Sequence, residues 1–463
     1  MNLLSPEVAA ALYLFAAVCF ILALKGLSGP RTARKGNALG AFGAFVAIVT
    51  VFLSTEFVGF RLWLALAAVI VGAALSVPVA RRIAMTNMPQ LVALLNGVGG
   101  GAAAIVGLVE LAEWSGTAGY VATTATAAAI LIGSMSFAGS VVTFMKLQGL
   151  MTSRPIVLPL AWLIMFAGMT ITAALGVFVA VTGSFWWGLA LIAAGLGSGV
   201  LFVLPVGGAD VPIVISLLNA FTGLAVAASG FAMPNTLMLV AGILVGASGT
   251  VLTLAMAKGM GRSVLGILFG ALKGGSTAGS TQESDRPVRR ATPEDVATAL
   301  AYARKVVVVP GYGLAVAQAQ HVLSELVTTL REEHHVDAVY GIHPVAGRMP
   351  GHMNVLLAEA NVPYELLVEA EELNPQMPST DIVMVVGAND VVNPAAREDP
   401  QSSIYGMPII DADYAGQVFF LKRSMRPGFA GIENELLFNE KTQLLFGDAK
   451  DSLSAVVAAL KEV

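Results

Sequence analysis

The residues best placed to do chemistry begin between Val306 and Val355, where VVVVPGYGLAVAQAQ is followed by a helical run and then VDAVYGIHPVAGRMPGHMNV. Four valines run straight into Pro310-Gly311-Tyr312-Gly313, and a helical pattern starts at once. A strand, a tight glycine turn and a helix N-terminus present backbone N–H groups and a positive dipole end to an anion, most often a phosphate. Val316 replaces the third glycine of G-x-G-x-x-G, so the turn alone also fits a plain strand-turn-helix. Three more loops carry polar groups: His343-Pro344-Val345-Ala346-Gly347-Arg348, Gly387-Ala388-Asn389-Asp390, and Lys422-Arg423-Ser424. The last supplies two cations and a hydroxyl donor, a set suited to a phosphate monoester. A site for NAD would carry an acidic residue at the end of the second strand, on the ribose 2′-hydroxyl. That position holds Gly341-Ile342-His343. The reading is therefore NADP rather than NAD, with a merely solvated basic strand end as the alternative.

These loops need a scaffold. Lys305–Val309, Val336–Ile342, Tyr364–Val368, Asp381–Gly387, Met407–Ile410 and Gln417–Leu421 read as strands, with helical stretches between several of them and a last helix at Ala449–Leu460. Six strands with helical crossovers predict an α/β, Rossmann-like, doubly wound parallel sheet, whose ligands sit beyond the carboxyl ends of the strands. The polar loops all fall at such ends. Thr292-Pro293-Glu294-Asp295 is an N-cap with proline at the first helical position, and marks the start of this domain. The domain covers 292–463.

The rest of the chain belongs to a different solvent. Hydrophobic residues make up 56% of the sequence and charged residues only 12%, about half the share of an ordinary soluble chain. Residues 1–275 hold 12 Lys/Arg and 5 Asp/Glu, against 14 and 25 in 276–463. A ~30 Å hydrocarbon core needs roughly 18–25 apolar residues per helix. Candidate spans lie near 6–24, 38–54, 62–80, 90–109, 120–144, 157–181, 185–204, 211–232 and 235–257. Nine transmembrane helices thus fill 1–260, an α-helical polytopic membrane domain. Lys25, Arg31, Arg34, Lys35, Arg81, Arg82, Lys146, Arg154, Lys258 and Arg262 fall on one side as loop residues, and Arg61 alone on the other. The positive-inside rule then puts the N-terminus outside and the C-terminal domain in the cytoplasm. Residues 261–291 join the two as an apolar, basic-ended interfacial segment and a small, polar linker. The acidic balance argues against nucleic acid. Cys19 is the single cysteine, so no disulfide framework or cysteine metal site is available.

Within the spans, runs such as Gly99-Gly100-Gly101 and Gly195-Leu196-Gly197-Ser198-Gly199 and the pair Gly242/Gly246 allow close helix packing. Asn96 and Asn219 are flanked by apolar sequence, and Asp210 follows Gly207-Gly208-Ala209 at a span entrance. A carboxylate in hydrocarbon is costly, so Asp210 is either interfacial or functional. The two asparagines are either a polar path or bridges between helices.

PGYGLAVAQAQ, YGIHPVAGRMPGHMNVLLAEANVPY, VVGANDVVNPAA, FLKRSM, GFAG and LLFGDAK, in that order, resemble the NADP(H)-binding domain of proton-translocating NAD(P) transhydrogenase. MPQLVALLN, GGADVPIVISLLNAFTG and the 246–262 stretch resemble the membrane region of that family's beta subunit, so the likeness covers essentially the whole chain. It implies a subunit of the bacterial inner membrane that works with a separate alpha subunit. The alpha subunit would bind NAD(H) and add further spans, and the resemblance implies a dimer of alpha-beta units. The resemblance also implies that NADP(H) lies on the sheet in reverse orientation relative to most Rossmann domains, so the glycine turn is not automatically its pyrophosphate cradle.

Matching motifs assigns roles. Lys422, Arg423 and Ser424 would hold the 2′-phosphate. Gly311, Tyr312, Gly313, Ala315 and Val316 would line the dinucleotide. His343, Pro344, Val345, Ala346, Gly347 and Arg348 would meet its nicotinamide half, with Gly387, Ala388, Asn389 and Asp390 beside them. Gly428-Phe429-Ala430-Gly431 resembles a lid, and Gly447, Asp448 and Ala449 would complete the site. The family commonly has Tyr where this chain has Phe429, which loses a hydroxyl. Asn96 stands where well-known members carry histidine, and asparagine cannot titrate. Asn96, Asp210 and Asn219 would form the proton path, either through bound water or with an ionisable residue from the alpha subunit. The implied reaction is direct hydride transfer between NADH on the partner and NADP⁺ here, with no catalytic side chain and no metal. A transporter whose NADP domain only senses redox state is the rival reading.

Overall fold

The computed structural model describes residues 4–27, 30–54, 59–83, 87–114, 119–152, 156, 159–206, 210–259, 263–269, 286–344, 346–347, 351–400, 402, 404–426, 428 and 432–463. The chain forms two compact units: residues 1–205 with 214–253, and residues 206–213 with 254–463.

Nine described helices are long and apolar enough to cross a membrane, with mean hydropathies of 1.8 to 2.3. They are α1 (Pro6–Leu27), α2 (Pro30–Ser54), α3 (Phe60–Arg82), α4 (Met88–Trp114), α5 (Tyr120–Gln148), α6 (Ala161–Thr182), α7 (Phe185–Val203), α8 (Val211–Ala232) and α9 (Thr236–Gly259). The protein is a multi-pass membrane protein. The helices run past the apolar windows because hydropathy marks only the hydrocarbon-facing part. Arg34 and Lys35 therefore lie on the first turns of α2, and Arg81 and Arg82 on the last turn of α3, rather than in loops. Lys146 departs further from expectation. It is buried in the last turn of α5, and its Nζ donates to the carbonyls of Val203 at 3.2 Å and Leu204 at 2.7 Å, at the end of α7. A cation there answers the unpaired carbonyls of a helix C-terminus.

Inside this unit the contacts are made by small residues. A Cβ on Gly133 of α5 would lie 2.5 Å from the Gly100 carbonyl oxygen of α4, and one on Gly100 would lie 2.9 Å from the Gly133 oxygen. Gly223 of α8 and Gly242 of α9 meet as closely, backbone to backbone. In lipid, close packing replaces hydrophobicity as the force between helices. The large apolar side chains point the other way: Trp63, Ile70, Val71 and Leu75 of α3 are exposed, and no residue of α3 is buried.

Beyond the last turns of α9, the second unit continues with the short helix α10 (Val264–Phe269) and, after an interval, α11 (Pro293–Ala301). The cap of α11 forms as its sequence predicts. Thr292 Oγ1 accepts from the Asp295 N–H at 3.2 Å, and the Asp295 carboxylate accepts from the Thr292 N–H at 2.9 Å. The following elements are β1 (Lys305–Pro310), α12 (Tyr312–Val316), α13 (Gln320–Glu332), β2 (Asp337–Ile342), α14 (His352–Glu359), β3 (Leu367–Glu369), α15 (Ala370–Leu373), β4 (Ile382–Val386), α16 (Ala395–Glu398), β5 (Gln417–Lys422), β6 (Thr442–Phe446) and α17 (Ala449–Leu460). The six strands form one parallel sheet in the order β3-β2-β1-β4-β5-β6, which reverses direction between β1 and β4. Val306 to Val309 are fully buried because β1 is central, with Val307 beside Val339 on one side and Val383 on the other. Such a strand must be apolar on both faces.

Two strand assignments change. Met407–Ile410 is no strand: Pro408 has no N–H to give to a ladder, and Ile410 donates to the carbonyl of Val391, in the 3₁₀ turn Asp390–Val392. Tyr364–Leu366 is a 3₁₀ turn started by Pro363, leaving only Leu367–Glu369 as strand. The sixth strand is instead β6, TQLLF. Its outer edge is covered by residues 289–291, with the Ala291 N–H on the Leu444 carbonyl and the Leu444 N–H on the Arg289 carbonyl, both at 2.9 Å.

Candidate functional site

The glycine turn after β1 is occupied with the fold itself. The Gly311 N–H donates to the Val386 carbonyl at 2.9 Å and the Gly313 N–H to the Gly387 carbonyl at 2.8 Å. Gly387 has φ +67°, and a Cβ there would lie 2.6 Å from the Gly313 carbonyl carbon. These three glycines let the loops after β1 and β4 interlock at the point where strand order reverses, so the Gly311 and Gly313 N–H groups are committed to β4. The helix expected to follow at once is one turn long. α12 stops at Val316, Gln318 takes φ +52°, and α13 begins only at Gln320, so no long helix aims its dipole at the turn. Of the other residues here, Ala315 is fully buried in the core, Tyr312 is half-buried with its ring 6.1 Å from that of His352, and Val316 is exposed.

At the end of β2, His343 is buried and its Nε2 lies 2.6 Å from the Pro408 carbonyl, which fixes the proton on that nitrogen as donor. Burial holds its pKa below the usual histidine value, with the Pro408 bond opposing this in part. The imidazole is neutral at pH 7. Pro344 is exposed and Ala346 buried; Gly347 has φ +110°, and a Cβ there would press on the His352 ring. Val345 and Arg348 lie outside the described residues.

The polar centre gathers at the ends of β4 and β5. Lys422 Nζ donates to Asn389 Oδ1 at 3.1 Å, Asn389 Nδ2 donates to Asp390 Oδ1 at 3.0 Å, and Asn434 Nδ2 donates to the Asn389 carbonyl at 2.9 Å. Burial lowers the Lys422 pKa to about 8, although the nearby Asp390 and Glu433 carboxylates pull it up. Arg423 is exposed and Ser424 half-buried on the same segment. Gly428 packs so closely that a Cβ would lie 2.6 Å from both Asn389 Nδ2 and Asp390 Oδ1. Gly447 donates to the Lys422 carbonyl at 3.2 Å, which sets Gly447, Asp448 and Ala449 beside the same strand end, with Asp448 capping α17. Ala388 is buried under these contacts. Phe429, Ala430 and Gly431 lie outside the described residues.

The result is one polar rim along the carboxyl edge of the sheet, from β2 to β5. Three strand spacings separate its ends, roughly 14 Å. Two cations, a hydroxyl and an amide stand at one end, and a neutral histidine at the other. This donor set fits the anionic end of a phosphorylated dinucleotide, with little charge where an uncharged ring would lie. Sequence reasoning missed Asn434 and Glu433, which act through β4 and β5 loop contacts that only the fold brings together.

In the membrane unit, Asn96 Nδ2 donates to Ser140 Oγ at 2.8 Å and, at 3.4 Å, to Ser136 Oγ. Ser136 in turn donates to the Leu218 carbonyl at 2.9 Å and lies 2.6 Å from Thr222 Oγ1. Asn96, Ser136, Ser140 and Thr222 thus form a buried polar cluster shared by α4, α5 and α8. Asn219 is half-buried one turn away on α8; Asp210, just before α8 and in the stretch 206–213 of the second unit, is buried. The hydroxyl members were missed, because serine and threonine on apolar helices usually bond their own preceding carbonyls, as Thr143 does here.

Comparison with known proteins agrees in both halves. Residues 9–459 match the family described as NAD(P) transhydrogenase beta subunit. The NAD(P) transhydrogenase subunit beta of Rhodospirillum rubrum is 44% identical over 459 residues, covering 97% of this chain and 98% of that one. The same figures hold for its counterpart from a further strain of that organism.

Proposed function

The chain belongs to the NAD(P) transhydrogenase beta-subunit family, and from that premise we propose that it binds NADP(H) on the carboxyl edge of its sheet and exchanges hydride with NAD(H) held by an alpha subunit, coupled to proton movement across the membrane. The observation that carries this reading is the cluster of Lys422, Arg423 and Ser424 beside Asn389. When bound, NADP(H) supplies the hydride chemistry. The chain's own residues bind and orient. Lys422 and Arg423 meet the 2′-phosphate charge, and Ser424 donates to it. Lys422 is held by Asn389 Oδ1; burial lowers its pKa to about 8, with Asp390 and Glu433 opposing, so the amine is still mostly charged at pH 7. His343, neutral and pinned by Pro408, shapes the nicotinamide end without adding a charge that would favour one redox state. The lid segment 428–431 would exclude water.

The two nucleotide couples have similar potentials, so accumulation of NADPH needs an outside drive. One charge crossing a membrane supplies about 2.3 kcal/mol per 100 mV, which is about 50-fold in an equilibrium constant. That drive can act only through a change in relative affinity for NADP⁺ and NADPH. We assign the membrane part to 1–260, the connector to 261–291 and the nucleotide domain to 292–463, with the N-terminus outside and the nucleotide domain in the cytoplasm of a bacterial cell. The partner alpha subunit adds the NAD(H) domain and further spans, in a dimer of alpha-beta units.

The test is a purified alpha-beta complex in vesicles, assayed for NADPH-dependent reduction of an NAD analogue with and without a proton gradient. Expected are hydride transfer and proton uptake that rise and fall together. Asp210→Asn and Asn219→Leu should each lower proton uptake and slow NADPH release. Proton movement without hydride exchange would favour the redox-sensing transporter.

A further inference from the structure

Glu110 is a carboxylate inside the fourth span, 7% exposed, four residues before the end of α4. Its Oε2 accepts from Thr126 Oγ1 of α5 at 3.1 Å, while its buried Oε1 has no hydrogen-bond partner among the described residues. Among the described residues no ion pair joins it to a cation. α4 packs on α5 and α7. Across its own helix turn stands Glu113, another acid; α5 offers at this end Tyr120, Thr123, Thr124 and Thr126, none of them a cation; α7 carries no titratable residue from Phe185 to Val203. Leu111, Ala127, Ile130 and Leu191 form an apolar cluster beside it. An ionised carboxylate with an orphan oxygen in such surroundings is expensive, and no structural partner repays the cost. A group kept for packing or for bridging two helices would be served as well by glutamine.

Glu110 is also placed on the working helix. Asn96 lies fourteen residues earlier, which is almost a whole number of turns, so both sit on nearly the same face of α4, roughly 21 Å apart. The stripe between them is sealed by Gly100 against Gly133 and by Gly107 against Ile130. The two polar stations therefore stand at opposite ends of α4, separated by a dry seam. Asn96 and its hydroxyl partners cannot release or hold a proton at neutral pH; Glu110 can.

Resting on the transhydrogenase reading above, we propose that Glu110 is the proton-exchanging carboxyl of this membrane unit, at the end of α4 remote from the Asn96 cluster. A hydronium ion in the water at that membrane face gives a proton to Oε1: its O–H bond breaks, the carboxyl O–H forms, and neutral water and a neutral carboxyl remain. The proton returns to water when the surroundings of α4 change. The dry seam keeps this exchange from leaking to Asn96 until α4 and α5 part.

The test uses the full alpha-beta complex in vesicles. A lipid-soluble carbodiimide, which reacts with protonated carboxyls in apolar sites, should label Glu110 of the wild-type complex at pH 7 and progressively less as pH rises, read by peptide mass spectrometry. Glu110→Gln keeps the Thr126 contact and should lower proton uptake per hydride transferred by about a hundredfold, the scale of a lost positioned proton carrier. Glu110→Asp should restore part of it. An unlabelled Glu110 at every pH, or a Glu110→Gln complex that pumps as the wild type does, overturns the proposal and leaves the family reading intact. A wild-type complex that transfers hydride but moves no proton removes the reading on which it rests. The labelling result stands even if Glu110→Gln fails to assemble.

Discussion

The same residue types carry opposite meanings in the two units. Val306 to Val309 of β1 are fully buried, while Ile70, Val71 and Leu75 of α3 are exposed. Conversely, Ser136, Ser140 and Thr126 are buried in the membrane helices, where the nucleotide unit would place leucine or valine. In water the chain hides its bulk and shows its polarity; in lipid it shows its bulk and hides what is small or polar. The comparison predicts which substitutions hurt. Bulk is tolerated on the outside of the spans and nowhere in their seams, and polarity is tolerated on the rim and edge of the sheet but not along Val306–Val309 or β4.

The largest effects should come where each unit relies on a bare backbone. Gly387→Val combines a φ of +67° with a collision against Gly313 and should cost about 3 kcal/mol or more. Urea unfolding of separately expressed residues 286–463, which should fold and bind NADP(H) alone, measures it. Gly133→Val should prevent recovery of assembled membrane protein, since its side chain would meet the Gly100 backbone. A Gly133→Val protein that assembles normally would break the comparison at its membrane end.

Next in size is the double change Lys422→Met with Arg423→Met. It should weaken NADP(H) binding about a hundredfold or more, at 1.5–3 kcal/mol per charge-assisted contact, and leave NAD(H) binding nearly unchanged in a calorimetric titration. Equal loss for both nucleotides would remove the 2′-phosphate assignment.

A smaller effect should appear with pH. Because the Lys422 pKa is lowered to about 8, the amine is charged below that value and increasingly neutral above it. The preference for NADP(H) over NAD(H) should therefore be full below pH 8 and fall as pH rises through it, toward about tenfold per unit for a single coupled proton. Lys422→Met should flatten this profile. A preference that stays constant from pH 7 to 9.5 would mean that Lys422 does not meet the nucleotide.

Most of the architecture was legible in the sequence, for a reason the comparison explains. Hydropathy finds the spans because lipid rewards an apolar surface all round, and runs such as VVVV find β1 because a central parallel strand is apolar on both faces. The false strand at 407–410 was read because it is short and apolar, and β6, equally short, was not read as a strand. Pro408 is the signal against the first, because it lacks a donor. The site was legible as residue types, Lys422, Arg423 and His343 among them. Its connections were not, since Asn434 reaches Asn389 across 45 residues and Ser136 reaches Thr222 across 86. Glu110 did leave a signal, being one of only 5 acidic residues in 1–275.

The least effect is expected on the surface. Arg286 donates to both oxygens of Glu435 at 3.0 Å and its guanidinium lies 3.9 Å from the Phe438 ring centroid, yet it is about half exposed. Arg286→Ala should leave the midpoint of the same urea unfolding nearly unchanged.

That modest latch sits at the start of the strip that closes the β6 edge, and the geometry has a mechanical consequence. Residues 289–291 run parallel to β6, so tension drawn along the chain from the membrane side acts along the strand rather than across it. The bonds at Leu444 and the Arg286 ion pair are then loaded together in shear, instead of parting one after another as in a zipper. A pull on the connector would thus be felt first as a lengthwise tug on β6, whose far end, through Gly447, is tied to the Lys422 carbonyl.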